Sequence, residues 1–368
     1  MTTGIEGSTQ AAPGSEGPHV LTVPGPGAAY PASGRRLRRA RVAAVTTLVA
    51  LPMLVYGLPA LLGHPVVPGD DLTQNLPLRL LVGRDLRSGH LPIFDPYIWS
   101  GAPLLAGWNA GAAYPLTWLF AVLPGTAAWT VNLLAAGMTA ATGCYAFLRA
   151  SRLSVLASWA GGMTYAFGGG MVAQISHVSL VIGMSWVPIA LLAILRLTRP
   201  APVDRRSLLR WTTVLAGAVG LVLLAGEPRA VTDAAAVLVL YGGWRLAKLA
   251  AHTGRGPHVG STDAAAAGRG ATWKASVAVV FGALLGVGLG AVQLVPGLAA
   301  VATSQRAQVT AYLFGAGSLP VRWLTLLGVP DLLGGSGSFG QPTFSASYNL
   351  TEVTGYVGLL PLAAAVAL

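Results

Sequence analysis

The sequence predicts an all-α fold, a polytopic bundle of about eight membrane-crossing helices with a long first outer loop carrying short interfacial helices. Three observations predict it. The 368-residue chain is 54% hydrophobic and only 10% charged, with a mean hydropathy of +0.63, whereas soluble domains carry about 25% charged residues. Apolar runs recur near 42–62, 126–148, 153–173, 178–197, 208–226, 230–248, 274–296 and 353–368, each close to the roughly 20 residues that cross the hydrocarbon core. The basic residues sit in short clusters between these runs, which is the pattern of topology determinants and not of a nucleic-acid groove. The net charge of +11 therefore does not argue for nucleic acid.

Residues 1–34 are rich in Gly, Pro, Ala and Ser without hydrophobic periodicity, and such a segment reads as a disordered tail. With this tail in the cytoplasm, 17 of the 23 Lys and Arg residues fall on the inner side, as the positive-inside rule requires. Asp70, Asp71, Asp85, Asp95, Glu227, Asp331 and Glu352 then all fall outside. The stretch 114–123 is apolar but too short to cross, and Pro124-Gly125 closes it. It reads as an interfacial helix with Trp108, Tyr114 and Trp118 at headgroup level. The outer loops run over 63–125 and 297–352, and loops this long are usually functional.

In the first outer loop, Gly69-Asp70-Asp71-Leu72-Thr73-Gln74 joins two acids in a chain with only 12 Asp and Glu residues. Residues 72–86 can form a short helix with Leu72, Leu76, Leu80 and Val82 on its apolar side. At its N-terminus one carboxylate is a natural cap and the other is merely solvated. The functional alternative makes Asp71 a general base for a hydroxyl nucleophile, with Asp70 orienting it or sharing a divalent cation with it. Arg79 and Arg84 can receive a lipid phosphate or simply snorkel to headgroups. Trp99, in the Pro- and Gly-rich stretch 90–103, can stack on a sugar or fill a loop. His177, Glu227, Arg306 and Glu352 share the same side, and their sidedness places any active site outside.

Other patterns carry less. Gly286, Gly288 and Gly290 lie in an apolar helix without a preceding strand, so they serve helix packing and not a dinucleotide. The single Cys144 excludes an intrachain disulfide or thiolate metal site. No HExxH, Walker loop or nucleophile elbow is present, so this chain alone does not drive transport with ATP.

Asp71-Leu-Thr-Gln74, followed by Gly89-His-Leu-Pro92, Asp95-Pro96, Trp99-Ser-Gly101 and Tyr114-Pro115, resembles the first outer loop of YfhO-like bacterial membrane proteins. Ala225-Gly-Glu-Pro-Arg229, Gln293-Leu-Val-Pro296 with Ser304 and Arg306, and Glu352 with Tyr356-Val-Gly-Leu-Leu-Pro361 resemble later blocks of that family. The resemblance covers about 60–368 and implies a C-type (GT-C) glycosyltransferase of the bacterial plasma membrane. Such an enzyme takes a sugar from a polyprenyl-phosphate donor and transfers it, on the outer face, to a cell-envelope glycan, lipid or protein. The family's acidic motif maps onto Asp70 and Asp71, with Asp71 matched by its spacing to Gln74. It also implies substrate contacts at Gln74, Arg79, Arg84, Trp99, His177, Glu227, Arg306 and Glu352, and a C-terminal portion beyond this chain. The competing expectations are a transporter or lipid flippase, and a non-catalytic truncated scaffold.

Overall fold

The computed structural model describes residues 34–200, 204–254, 262–304, 307, 320–329, 331–335, 343, 355, 356, 358 and 363. The chain divides into two compact units, Met1–Ala40 and Arg41–Leu368, and the second holds every contact discussed below. Eleven helices of α type follow in order among the described residues. Six helical segments are long and apolar enough to cross a membrane: Gly34–Leu61, Gly125–Ala150, Val178–Leu197, Arg205–Leu224, Pro228–Thr253 and Gly270–Ala302. They fit a multi-pass membrane protein.

The first segment is α1 (Gly34–Pro52), a π-helical turn (Met53–Gly57) and α2 (Leu58–Leu61). Pro52 and Pro59 lack an amide N–H, and the helix widens between them. A second π turn (Asp71–Asn75) then leads into α3 (Leu76–Arg87). A two-stranded hairpin follows, with β1 (Phe94–Asp95) antiparallel to β2 (Ala102–Pro103). The stretch expected to lie at the interface is a 3-10 helix over Pro115–Ala121, so it does not cross. Trp108 and Tyr114 are buried in the protein while Trp118 is half exposed, which corrects their expected common place among headgroups.

The long α4 (Gly125–Ala150) runs back through the bundle. Its return partner departs from expectation. The apolar run 153–173 forms two helices, α5 (Val155–Phe167) and α6 (Gly169–Ala173), because Gly168 is extended at φ −71° and ψ 163°. Three consecutive glycines at 168–170 have the poorest helix propensity short of proline. Ser154 starts α5 by accepting the amide of Ala157 at 3.1 Å, an N-cap that satisfies one of the orphan donors of the first turn. α7 (Val178–Ser185) and α8 (Val187–Leu197) continue one another around Trp186, with Pro188 at the start of α8. Asp204 caps α9 (Arg205–Leu224) through the amide of Ser207. α10 (Pro228–Gly254) and α11 (Thr262–Ala302) follow. The expected eighth crossing, 353–368, lies almost wholly outside the described residues, as does most of the second outer loop.

α9 and α11 pack along a glycine seam. A Cβ at Gly286 would stand 2.6 Å from Val219 Cβ, and one at Gly290 would stand 2.4 Å from Leu223 Cβ. Glycine here lets two backbones close on each other where hydrophobic driving force between membrane helices is absent. The opposite side of α11, with Phe281, Leu284 and Leu298, is exposed and suits lipid.

The bundle has two chemically distinct ends. At one, Arg199 donates to the carbonyl of Ala150 at 3.3 Å and Arg245 donates to Thr198. At the other, the loop following α2 packs over the helix ends. Trp129 on α4 donates to the carbonyl of Val66 at 2.9 Å, and Gln293 on α11 donates to that of Leu105 at 2.8 Å. Asp70, Asp71, Asp95 and Glu227 gather at this second, acid-bearing end. Between α9 and α10, Gly226 turns the chain at φ +79° with its Cα against Gly111 and the carbonyl of Trp108. A Cβ at Gly226 would lie 2.3 Å from that carbonyl oxygen. Gly226→Ala is expected to cost at least about 2 kcal/mol, from the left-handed backbone and the clash together. Thermal unfolding followed by tryptophan fluorescence in detergent measures it; an unchanged midpoint would remove this contact as the anchor of the loop.

Candidate functional site at the acid-bearing end

The helix over residues 71–87 has a polar inner face. Asp71, Asn75 and Arg79 recur every fourth residue and are all buried, with Val82 continuing the face. Leu72 and Leu80, expected to be the packed side, are exposed. Leu76 and Val82, expected on that same side, do pack inward, so the apolar residues of this helix are split between interior and surface, and the polar ladder holds its inner face because each member finds partners there.

Neither acid caps its own helix. Asp70 occupies the N-cap position without a side-chain bond to it. Asp71 instead accepts from Asn75 Nδ2 at 2.6 Å and from the backbone N–H of Val178 at 3.2 Å. Val178 is the first residue of α7, whose own N-cap, His177, makes no side-chain cap bond. Asp71 thus caps a helix that starts 107 residues further along the chain. Its Oδ2 is buried and has no hydrogen-bond partner. Burial raises the carboxyl from its ordinary 3.8 to about 6, against the lowering effect of Asn75, Val178 and the charge of Arg79. Asp70 is exposed, with Oδ2 4.0 Å from His177 Nε2.

Arg79 lies one residue from the same helix start. Its Nη2 donates to Ser179 Oγ at 2.9 Å and its Nη1 to Thr117 Oγ1 at 3.1 Å. The guanidinium also stands 5.9 Å from the centre of the Trp129 ring, a cation–π distance. Burial lowers Arg79 to about 10, opposed by the charge of Asp71, so it stays protonated at neutral pH. It has no surface left for a phosphate. Sequence reasoning missed Asn75, Thr117 and Ser179; the four-residue spacing of Asp71, Asn75 and Arg79 was the available signal for the first.

The exposed side of the same helix borders a groove of about 1240 Å³. Gln74, Arg84, Arg87, Asp95, Tyr97 and Trp99 line it, with Leu81, Leu104 and Pro296, Ala299 and Ala300 of α11 supplying apolar wall. Arg84 donates to the Tyr97 hydroxyl and lies 5.6 Å from the centre of its ring. Among the described residues, neither Arg84 nor Arg87 has a carboxylate within 4.0 Å. The hairpin that carries the aromatics is ordered by its backbone: Asp95 Oδ1 accepts the Tyr97 amide at 2.8 Å, and Leu104 donates to the carbonyl of Ile93. Its tip is left-handed at Trp99 and Ser100, with φ of 48° and 62°, which leaves Trp99 89% exposed at the groove.

The expected site residues therefore divide. Gln74, Arg84 and Trp99 meet at the groove; Asp71 and Arg79 lie behind it in the interior. His177 stands beside Asp70, and Glu227 is buried, paired at 3.2 Å with Arg229. Arg306 and Glu352 lie outside the described residues. Asp71 is sealed from solvent while Asp70 is two-thirds exposed, so the pair does not present two carboxylates to one cation. No cluster of three or more His, Cys, Asp or Glu residues suited to a metal occurs among the described residues.

Comparison with known protein families, curated proteins and solved structures finds no match.

The Asp71 environment yields a pH signature. Its folded value lies above its ordinary one, so the native state holds the proton more tightly, and stability declines as pH rises from about 4 to about 6. Asp71→Asn keeps an acceptor oxygen for Val178 and removes this titration. Melting curves at pH 4, 5, 6 and 7 are expected to show the wild type losing stability relative to Asp71→Asn across that window and no further change above it. Parallel curves for the two proteins would overturn the assignment.

Proposed function

We propose that this chain is a membrane glycosyltransferase that accepts a sugar from a polyprenyl-phosphate carrier, with the acid-bearing end on the extracytoplasmic side of a bacterial plasma membrane. The observation that carries the reading is the groove. Cationic, aromatic and apolar surfaces adjoin in one space, and a lipid-linked sugar phosphate needs all three. Arg84 and Arg87 suit the phosphate, Arg through its forked donors. Trp99 and Tyr97 offer ring faces for the sugar. The apolar wall against α11 takes the first isoprene units. The orientation follows the clustering of Lys and Arg toward the opposite end.

In the proposed transfer, a hydroxyl oxygen of a cell-envelope acceptor attacks the anomeric carbon. The bond from that carbon to the phosphate oxygen breaks, polyprenyl phosphate leaves, and the hydroxyl proton passes to a carboxylate. The family resemblance assigns that carboxylate to Asp71, and a value near 6 suits proton transfer at neutral pH. Asp71 reaches an acceptor only if its π turn rotates toward the groove, which Thr73 and Gln74 of that turn already line. Asp95, which lines the groove directly, is the competing base.

Purified protein given a polyprenyl-phosphate sugar labelled in the sugar is expected to release the carrier phosphate. Arg84→Ala with Arg87→Ala should lower kcat/KM about 100-fold, and Trp99→Ala should raise KM about tenfold with little effect on folding. Asp71→Asn abolishing transfer in a folded protein identifies the base; transfer surviving there but lost in Asp95→Asn moves the role to Asp95. Absence of turnover with every carrier, in protein that still moves labelled lipid between leaflets, would replace the transferase by a flippase.

A further inference from the structure

The opposite end of the bundle holds a second cluster that the transferase reading does not use. Arg152 comes from the turn between α4 and α5, Arg196 and Arg199 from the end of α8, and Arg245 from α10. Arg199 donates to the carbonyl of Ala150, and Arg245 donates to Thr198 through both its hydroxyl and its carbonyl. The guanidinium of Arg196 lies over Trp211 at 5.4 Å, and its Nε is buried without a hydrogen-bond partner. Burial, and then the charges of Arg196, Arg152 and Arg245, hold Arg199 below the usual arginine value. Among the described residues no carboxylate comes within 4.0 Å of any of the four. Four cations brought together from three parts of the chain without an acid repel one another unless an anion joins them.

The surroundings indicate which anion. Trp211 and Trp244 flank the cluster, and Lys248 and Arg245 lie against the Trp244 ring; tryptophans beside cations at the ends of spans mark headgroup level. Beside the same turn, Leu148 of α4 and Leu153 open into a mainly apolar crevice of about 860 Å³ running between α4, α5 and α7. Ala157, Gly161, Thr164 and Met184 continue its walls, and Gln174 and Asp233, from the segments nearer the acid-bearing end, also line it.

We propose that this end of the bundle is a binding site for an anionic phospholipid, with the phosphate held by Arg152, Arg196, Arg199 and Arg245 and one acyl chain lying in the crevice between α4, α5 and α7. Basic pockets between membrane helices recognise lipid headgroups in this way. A zwitterionic lipid brings its own cation to the cluster and binds less well, and a free phosphate lacks the chain that fills the crevice.

The full-length protein in zwitterionic detergent, titrated with dioleoyl phosphatidylglycerol or dioleoyl phosphatidylcholine and read by native mass spectrometry, tests this. Phosphatidylglycerol is expected to bind about tenfold more tightly or better. Arg152→Gln with Arg199→Gln should erase that preference, while Arg322→Gln, on an exposed residue of the 3-10 helix Val321–Leu327, should leave it intact. Should the glutamine pair fail to fold, Arg152→Lys with Arg199→Lys keeps the charges and should keep a preference reduced by only a few fold. Equal affinity for the two lipids, or a preference that survives the glutamine pair, overturns the site. Displacement of phosphatidylglycerol by millimolar inorganic phosphate would instead make it a free-anion site and overturn the lipid assignment.

Discussion

The contact on which the acid-bearing end depends is the one between Asp71 and the first amide of α7. A helix start presents unsatisfied N–H groups, and at the end of a membrane helix these would otherwise be left to headgroups and water. Here the loop after α2 reaches over and supplies the acceptor. Arg79 repeats the gesture one residue later, through Ser179, and ties in Thr117 and Trp129 as it does so. Two side chains on one helical face therefore join the first loop, α4 and α7. Gly226 against Gly111 adds the turn between α9 and α10. Buried polar networks of this kind rigidify only when nearly every member is satisfied; here Asp71 Oδ2, Asn75 Oδ1 and Arg79 Nε are left without partners, and burial keeps the Asp71 carboxyl easily protonated.

The helix over 71–87 acts as a partition. Its inner face is a scaffold of Asp71, Asn75 and Arg79; its outer side is the edge of a groove with Gln74, Arg84 and Arg87. The π turn at its start is what separates the two. An additional residue within a turn rotates the following side chains, so Asp71 and Gln74, close in the chain, serve different surfaces. The groove gathers its other wall from far away, from the hairpin at 94–103 and the end of α11. A helix alone would give a surface; the three together give a cavity.

Much of the bundle was legible because membrane spans are written in long uncharged runs and because arginines mark one set of ends. Six runs became helices long and apolar enough to cross a membrane, nearly where their apolar residues begin and stop. The run at 153–173 forms two helices where one was expected, because hydropathy counts apolar side chains and ignores backbone preference, and Gly168 breaks the helix while remaining apolar. The polar ladder was half legible. Its spacing is plain in Asp71, Asn75 and Arg79, yet Leu72 and Leu80 on another side of the same helix look like a packed face while lying exposed. That Asp71 caps α7 could not be read at all, since no local pattern links a residue to an amide so distant in the chain. The exposure of Trp99 was equally hidden, because it follows from two left-handed residues at a hairpin tip whose order comes from the Asp95 turn.

The break at Gly168 bears on the membrane as well as on the protein. A helix of α5's 13 residues rises about 20 Å, while the hydrocarbon core is about 30 Å deep. One helix of that length does not reach from face to face, and α6 with the 3-10 turn Gln174–Ser176 carries the chain the rest of the way to His177. A crossing made of two pieces frees backbone groups at its joint, and such groups need partners inside the protein. The Gly169 amide finds one outside its own helix, in the carbonyl of Tyr356 at 2.6 Å, so the joint at Gly168 is also a docking point for a distant part of the chain.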